Sequence, residues 1–314
     1  MVEVTGIVKF IYYLNYMMRA FAPQIALRYR KSALEKKFND KKKYIDNRVR
    51  YYVKLRQSFE LPKDAVSRAT FKHKGQSQYV IDLMSIMSFF PKHYRFLYYF
   101  GDETHIEPYP TLFKARPING DNHNSVLTKL VKSRHFRFYP DKRSFQEKKN
   151  LAVFRGAVKQ PHRVRFMETM FNHPLIDAGQ SNPSNLNPEW QKPFMSVEEQ
   201  MDYKFIICLE GHDVASNLKW AMSSNSVVIT PKMKYETWFM EGTLQAGVHY
   251  VEVKDDWSDF EEKIQFYINH PEEAENIVHN AHRYLLPFKD NDLEELVSIK
   301  TLEKYFELSG QVKQ

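Results

Sequence analysis

The chain has 314 residues, 43% hydrophobic and 27% charged, with a net charge of +8 and a single cysteine. That length accommodates two domains, each with its own core, and 23 Phe with 19 Tyr argue against a disordered chain. One cysteine, Cys208, excludes a disulfide framework or a cysteine zinc cluster and points to a reducing compartment.

The charge is concentrated at one end. Residues 1–56 carry 14 Lys or Arg against four acids, leaving 32 bases and 34 acids for residues 57–314. A nearly neutral body argues against a general nucleic-acid surface, and no nucleic-acid partner is expected. Residues 5–57 are predicted helical, with a break at Pro23. From Phe10 to Phe21 the chain is aromatic and Met-rich, bounded by Lys9 and Arg19, and too short for the ~20 apolar residues of a spanning helix. Beside the Lys/Arg cluster this patch suits an anionic membrane surface, with rings at headgroup level and cations on lipid phosphates. A packed helix with a solvated basic face accounts for the same pattern. Ala20-Phe21-Ala22 resembles a signal-cleavage site, but Pro23, Arg19 and Glu3 oppose that reading.

A helix is predicted over 78–89 and a strand over Tyr94–Phe100, ending in the polar turn Gly101-Asp102-Glu103-Thr104-His105. Pro108, Pro110 and Pro117 then impose an irregular loop that holds Lys114 and Arg116. A helix or turn is expected after Asn122-His123-Asn124-Ser125 and a short strand over Phe136–Tyr139. Residues 140–150, charged and aperiodic, form the expected inter-domain linker.

The second half opens with the apolar run Leu151–Phe154 entering Arg155-Gly156-Ala157, followed by a helix from Arg163 to Asn172 and a polar loop from Gln180 to Pro193. Phe205–Leu209 then breaks into Glu210-Gly211-His212-Asp213-Val214-Ala215-Ser216-Asn217, a helical pattern, and a second apolar run, Ser226–Thr230. Strand, polar turn, helix and strand make a βαβ unit with a binding loop at a strand's C-terminal edge. A helix N-terminus there offers unpaired N–H groups and a positive dipole end to a phosphate. A last strand is predicted over His249–Val253. Ser258-Asp259-Phe260-Glu261 reads as a capping box opening a helix to about Asn269, and a further helix runs from Pro271 to about Leu285. Asp290-Asn291-Asp292 has the spacing of a DxD metal motif but follows no strand, so a solvated turn is predicted. No Gly-x-Gly-x-x-Gly, Walker A or Gly-x-Ser-x-Gly motif occurs, which removes the usual support for NAD enzymes, kinases and serine hydrolases.

Taken in order, Phe154-Arg155-Gly156-Ala157 with Arg163, Asn217-Leu218-Lys219-Trp220 leading into Asn225-Ser226-Val227-Val228, Gly247 through Lys254, and Ser258 through Ile264 resemble glycosyltransferase family 90. Phe100 through His105, Lys114 through Ile118 and Gly120 through Ser125 are similar to its bacterial members. The resemblance implies an α/β fold of GT-B type, two Rossmann-like domains facing a cleft, with an N-terminal helical extension. The corresponding divisions are 1–56 (basic aromatic extension), 57–145 (acceptor-side domain), 146–290 (nucleotide-sugar domain) and 291–314 (C-terminal helix or tail).

It further implies an inverting, metal-independent transfer from a UDP-sugar to a glycan, a lipopolysaccharide core or related glycolipid, with no cofactor beyond the donor substrate. The reaction needs a base for the acceptor hydroxyl and cations or N–H groups for the leaving diphosphate. Asp102 matches the family's catalytic aspartate. Read without the resemblance, it is a loop aspartate bonding the Thr104 backbone, and Glu103 is a nearer alternative base. Arg163 matches a phosphate-contacting arginine. Arg155, Gly156, Ala157 and the loop His212, Asp213, Val214, Ala215, Ser216 and Asn217 complete the donor set, although a strand-end arginine such as Arg155 is commonly held in an ion pair. Where eukaryotic relatives carry arginine this chain has Asn217, for which Lys219 would compensate. Glu236 or Glu241 would hold the ribose. His105, Lys114, Arg116 and Asn124 fall on the acceptor side. The expected location is cytoplasmic, peripheral on the inner membrane face through residues 1–56. The alternatives are a non-catalytic nucleotide- or glycan-binding module of the same fold and a nucleic-acid-binding protein using the basic arm.

Overall fold

The computed structural model describes residues 14, 18, 22–73, 75–183 and 187–312. The aromatic patch from Phe10 to Phe21 and the Ala20-Phe21 part of the signal-like pattern therefore lie outside the described residues, Leu14 and Met18 excepted. The fold is mixed α/β. Among the described residues, residues 135–234 and 241–286 form one compact unit and the rest form a second. We refer to them as the sheet unit and the helical unit.

The sheet unit is built on five parallel strands in the spatial order Val251–Val253, Val227–Pro231, Tyr203–Ile207, Lys149–Gly156, Ile176–Gln180. Parallel strands are buried on both faces and so read as unbroken apolar runs; Tyr203–Ile207 is buried at every position. In chain order the sheet runs outward from its first strand, Lys149–Gly156, in both directions. The order reverses between that strand and Tyr203–Ile207, the topological switch point at which doubly wound sheets bind ligands beyond the strands' C-terminal ends. After the first strand the chain enters the Pro161–Met170 helix, with proline at its first position, where the missing N–H costs nothing. Phe166 of that helix packs edge-on to Phe154 at 4.9 Å. A Cβ added at Gly156 would lie 2.9 Å from the Phe154 ring, so the glycine is required by the core before any ligand is considered.

The structure revises two expectations in this unit. Residues 140–150 are packed into it rather than linking domains: Phe145 is buried in the core, and buried Asp141 accepts from Lys148 Nζ at 2.7 Å and from the Asn225 amide at 2.8 Å. The capping box at Ser258 does not form. The N-cap of the Phe260–Asn269 helix is Asp259, whose carboxylate instead accepts from the Lys254 amide and pairs with Lys263. A capping box is present at Ser196 with Glu199, a pattern the sequence reading passed over.

The helical unit departs further from expectation. Among the described residues, in place of a second Rossmann-like sheet its strands form three two-stranded ladders: Val66–Ser67 with Arg95–Phe96, Thr111–Phe113 with Ser125–Leu127, and Ala115–Pro117 with Tyr235–Thr237. Residues 125–127, expected as helix or turn, are thus a strand. The helices Gln24–Lys37 and Lys42–Tyr52, separated by a 3-10 turn at Asn39–Lys41, are part of this unit and not a separate extension. Both pack on Asn291–Leu308, which also meets Ser77–Met87. Asn291–Leu308, expected as helix or tail, is buried around most of its circumference, as a core helix is. Asp290 is its N-cap, accepting from the Asp292 and Leu293 amides. The Asp290-Asn291-Asp292 stretch is therefore a helix start, with Asp292 paired to Arg30 and Lys37. Among the described residues no helix is long and apolar enough to cross a membrane.

The unit closes on Glu294. Its buried carboxylate is paired with Arg48, with Lys129 at 2.7 Å, and with Trp238 Nε1 at 2.6 Å. Burial opposes ionisation of Glu294, but the charges of Lys129 and Arg48 outweigh it and hold the carboxyl below its ordinary range. Removing one partner of such a group leaves a buried uncompensated charge. Glu294→Ala is therefore expected to destabilise the helical unit by about 3–5 kcal/mol, read as a fall in its denaturation midpoint; a change within about 0.5 kcal/mol, typical of surface positions, would rule out this role.

Candidate active site

At the C-terminal edge of the sheet, Arg163 joins the two loops that flank the switch point. Its guanidinium donates from Nη1 to the Ala157 carbonyl at 2.7 Å, from Nη2 to the Leu209 carbonyl at 2.6 Å, and from Nε to the Glu210 carbonyl at 2.8 Å. His162, beside it, contacts the same Glu210 oxygen through Nε2 at 2.8 Å. Asn217 Nδ2 donates to the Ile207 carbonyl at 3.0 Å, folding the far end of the loop back onto its strand. The structure thus brings Arg155, Gly156, Ala157, Arg163 and the loop from His212 to Asn217 to one edge. Within the loop His212 is exposed, Asp213, Val214 and Ala215 are buried, and Ser216 and Asn217 are half-buried.

Three expectations change at this edge. The helix after the loop is Leu218–Ala221, a single turn, and the longer helix that starts at this edge is the ten-residue Pro161–Met170. Lys219 is not placed to substitute for a phosphate-binding arginine: it is fully buried, and its ammonium pairs with the equally buried Glu241 at 2.8 Å. That pair also removes Glu241 as a ribose ligand, because each charge is compensated by the other. Glu236 is committed within the helical unit, to Arg116 at 2.7 Å and to Tyr51.

Arg155 is held as a strand-end arginine commonly is. Its Nη2 donates to both Asp177 oxygens at 2.9 Å, and Nη1 donates to the Phe154 and Asp177 carbonyls. Lys192 and Tyr203 complete the shell of Asp177. Burial raises the Asp177 pKa, but the bonds from Lys192, Arg155 and Tyr203 prevail and hold it at about 2. Cys208 is buried, and burial pushes its thiol up, so it is inert packing.

In the helical unit Asp102 follows Gly101, whose φ of +125° lies in the region that favours glycine. Its carboxylate is held by side chains: it pairs with buried Lys114, accepts from Tyr79 Oη at 3.1 Å, and lies 3.7 Å from Arg134 Nη1. Burial raises the Asp102 pKa, but Lys114, Arg134 and Tyr79 together lower it below the ordinary carboxylate value. The group is half-exposed and ionised at neutral pH. Tyr79 and Arg134 escaped the sequence reading because neither lies in a motif. His105 pairs with Glu107 at 2.8 Å and lies 3.7 Å from Glu103. Asn124 donates to the Glu107 and Pro108 carbonyls, so it shapes the proline loop. Arg116, expected on the acceptor side, is fully buried; besides Glu236 it donates to the Tyr51, Tyr52 and Ser125 carbonyls.

The family model "Glycosyl transferase family 90" matches residues 127–305. O-glucosyltransferase LpsA of Dichelobacter nodosus is 45% identical over 264 residues, covering 84% of this chain and 83% of that protein. Uncharacterized protein 179R of Invertebrate iridescent virus 6 is 31% identical over 36% of this chain and 12% of its own length. Protein O-glucosyltransferase 2 of Danio rerio is 27% identical over 52% of this chain and 34% of its own.

The Asp177 shell sets an acid limit on the sheet unit. A depressed carboxylate pKa stabilises the fold above the unfolded value near 3.9 and ceases to do so as pH falls through the folded value near 2. Between about pH 4 and pH 2 the wild type is expected to lose about 1–2 kcal/mol through this group, and Asp177→Asn, already lacking that contribution, should show a shallower acid slope in denaturation series.

Proposed function

The chain belongs to glycosyltransferase family 90 and is a glycosyltransferase, and from that premise we propose that it moves a sugar from a UDP-sugar to a glycan hydroxyl with inversion and without a metal ion. Two relatives are named O-glucosyltransferases, which favours glucose as the sugar. In this reading the sheet unit binds the donor and the helical unit serves the acceptor. The acceptor is a lipopolysaccharide core or related glycolipid.

The observation that carries the donor assignment is the convergence of Arg163, the Gly156-Ala157 turn and the 209–217 loop at the sheet's switch point. In the displacement, the acceptor oxygen forms its bond to the anomeric carbon while the bond to the diphosphate breaks, the electron pair leaving with UDP. The hydroxyl proton passes to Asp102, whose ionised carboxylate is fixed by Lys114, Arg134 and Tyr79. The developing diphosphate charge falls to Arg163, Ser216 and the amides at the start of the Pro161–Met170 helix.

Calorimetry in EDTA should show binding of UDP in preference to GDP and CMP, lost in Arg163→Ala; no binding to any nucleotide would sink the donor assignment. Asp102→Asn should retain UDP affinity and lose about 10²–10⁴-fold in kcat, and an unchanged kcat would remove Asp102 from the chemistry.

The basic face supports attachment to the cytoplasmic surface of an anionic membrane. Arg28, Lys36, Lys41, Lys42 and Lys43 are exposed, and Ile25 and Tyr29 are each 78% exposed on the Gln24–Lys37 helix. At about 1 kcal/mol per cation near the surface, replacing Lys41, Lys42 and Lys43 by Glu should weaken binding to phosphatidylglycerol vesicles by about 10²-fold or more. Equal binding by the variant would remove the face from the reading.

A further inference from the structure

Immediately before Asp102 in the helical unit is a hollow of about 330 Å³ that the mechanism above does not use. It is lined by Asp64, Val66, His73 and the run Phe96 to Phe100, a volume at the lower end of the roughly 300–1,000 Å³ of small-ligand sites. Its walls are aromatic and mutually braced. Tyr98 and Phe100 rings lie 4.6 Å apart, His73 is edge-on to Phe100 at 4.9 Å, and Phe71 backs Tyr98 at 5.0 Å. His73 Nδ1 meets Tyr98 Oη at 3.2 Å, leaving Nε2 on the other side of the ring. The backbone is pinned by the ladder between Val66–Ser67 and Arg95–Phe96 and by the bonds from the Tyr99 amide to the Leu112 carbonyl and from the Leu112 amide to the Leu97 carbonyl.

We propose that this hollow seats a pyranose ring of the acceptor, its C–H face against Tyr98, His73 and Phe100 and its hydroxyls toward Asp64 and His73. The proposal rests on the transferase reading with Asp102 as base and goes beyond it by giving the acceptor a binding site. Amphipathic rings suit a sugar, which has an apolar face and a polar rim, better than they suit an aliphatic chain. The hollow is also tied to the base by covalent geometry. Phe100 and Asp102 are two residues apart, so their Cα atoms are separated by at most about 7 Å. Tyr79 spans the same gap, packing on Phe100 at 5.3 Å and donating to Asp102 at 3.1 Å. Asp102 does not itself line the hollow, so a sugar against Phe100 sits next to the base's position with its attacking hydroxyl extending toward it.

The test is saturation-transfer NMR on the full chain with methyl β-D-glucopyranoside and methyl β-D-galactopyranoside, UDP being present to occupy the donor side. Saturation of ring C–H protons is expected for the wild type. It should fall about fivefold in Tyr98→Leu and His73→Ala, while Tyr98→Phe, which keeps the ring, retains most of it. Calorimetric UDP affinity should stay within about twofold in all three variants, and unchanged near-ultraviolet circular dichroism shows that their helical unit is folded. No saturation of either glycoside by the wild type, or equal saturation by Tyr98→Leu and His73→Ala, overturns the proposal. A wild type that fails to bind UDP yet saturates the glycosides through Tyr98 overturns the donor assignment and leaves the sugar site standing.

Discussion

One buried carboxylate, Glu294, fixes the order of the helical unit. Arg48, Lys129 and Trp238 reach it from three separate stretches of chain, and the Arg48 guanidinium is enclosed by the rings of Tyr44, Tyr52, Trp238 and Phe288 at 4.6–5.8 Å. Tyr52 extends the network, accepting from Arg48, donating to the Trp238 carbonyl at 2.7 Å and stacking on the indole at 3.8 Å. Charged groups of this kind contribute less through their net attraction than through the cost of any arrangement that leaves one unpaired. Among the described residues the N-terminal basic segment is therefore anchored through Arg48, and its exposed cations from Arg28 to Lys43 lie on the face of a folded unit.

Arg116 with Glu236, Lys219 with Glu241 and Arg155 with Asp177 repeat the device. Each sits beside or inside a segment that resembles the family's functional motifs, and the two arginines also secure backbone. Arg116 joins the carbonyls of Tyr51, Tyr52 and Ser125, and Arg155 joins two adjacent parallel strands. A charged residue in a motif can thus serve the shape of a site without touching what the site binds.

The parallel sheet was legible because strands buried on both faces leave uninterrupted apolar runs such as Phe205–Leu209 and Ser226–Thr230. The loops at its edge were legible because a strand entering Gly156 or Gly211 must turn there. The Asn291–Leu308 helix was less so: Glu294, Glu295 and the lysines interrupt its apolar residues, and only their partners elsewhere make those acids compatible with the core. Pairing itself left no trace in the sequence, since Arg48 and Glu294 are 246 residues apart and Arg116 and Glu236 are 120 apart. Lys219 and Glu241, only 22 residues apart, still read as ligand-facing, because spacing and residue type are identical for a buried pair and for an open site.

The position of Arg163 resolves what the paired cations leave open at the sheet edge. Parallel strands end in carbonyl groups, whose partial negative charge repels an anion approaching the C-terminal side. The Arg163 guanidinium is directed at three of these oxygens, on Ala157, Leu209 and Glu210. It cancels their field, keeps its own positive charge at the edge, and draws both loops to one width. With Lys219 withdrawn into the core, Arg163 is the cation that our proposal sets against the donor's diphosphate. A lysine would meet them differently, with three donors on one nitrogen in place of a planar fork that spans separate loops.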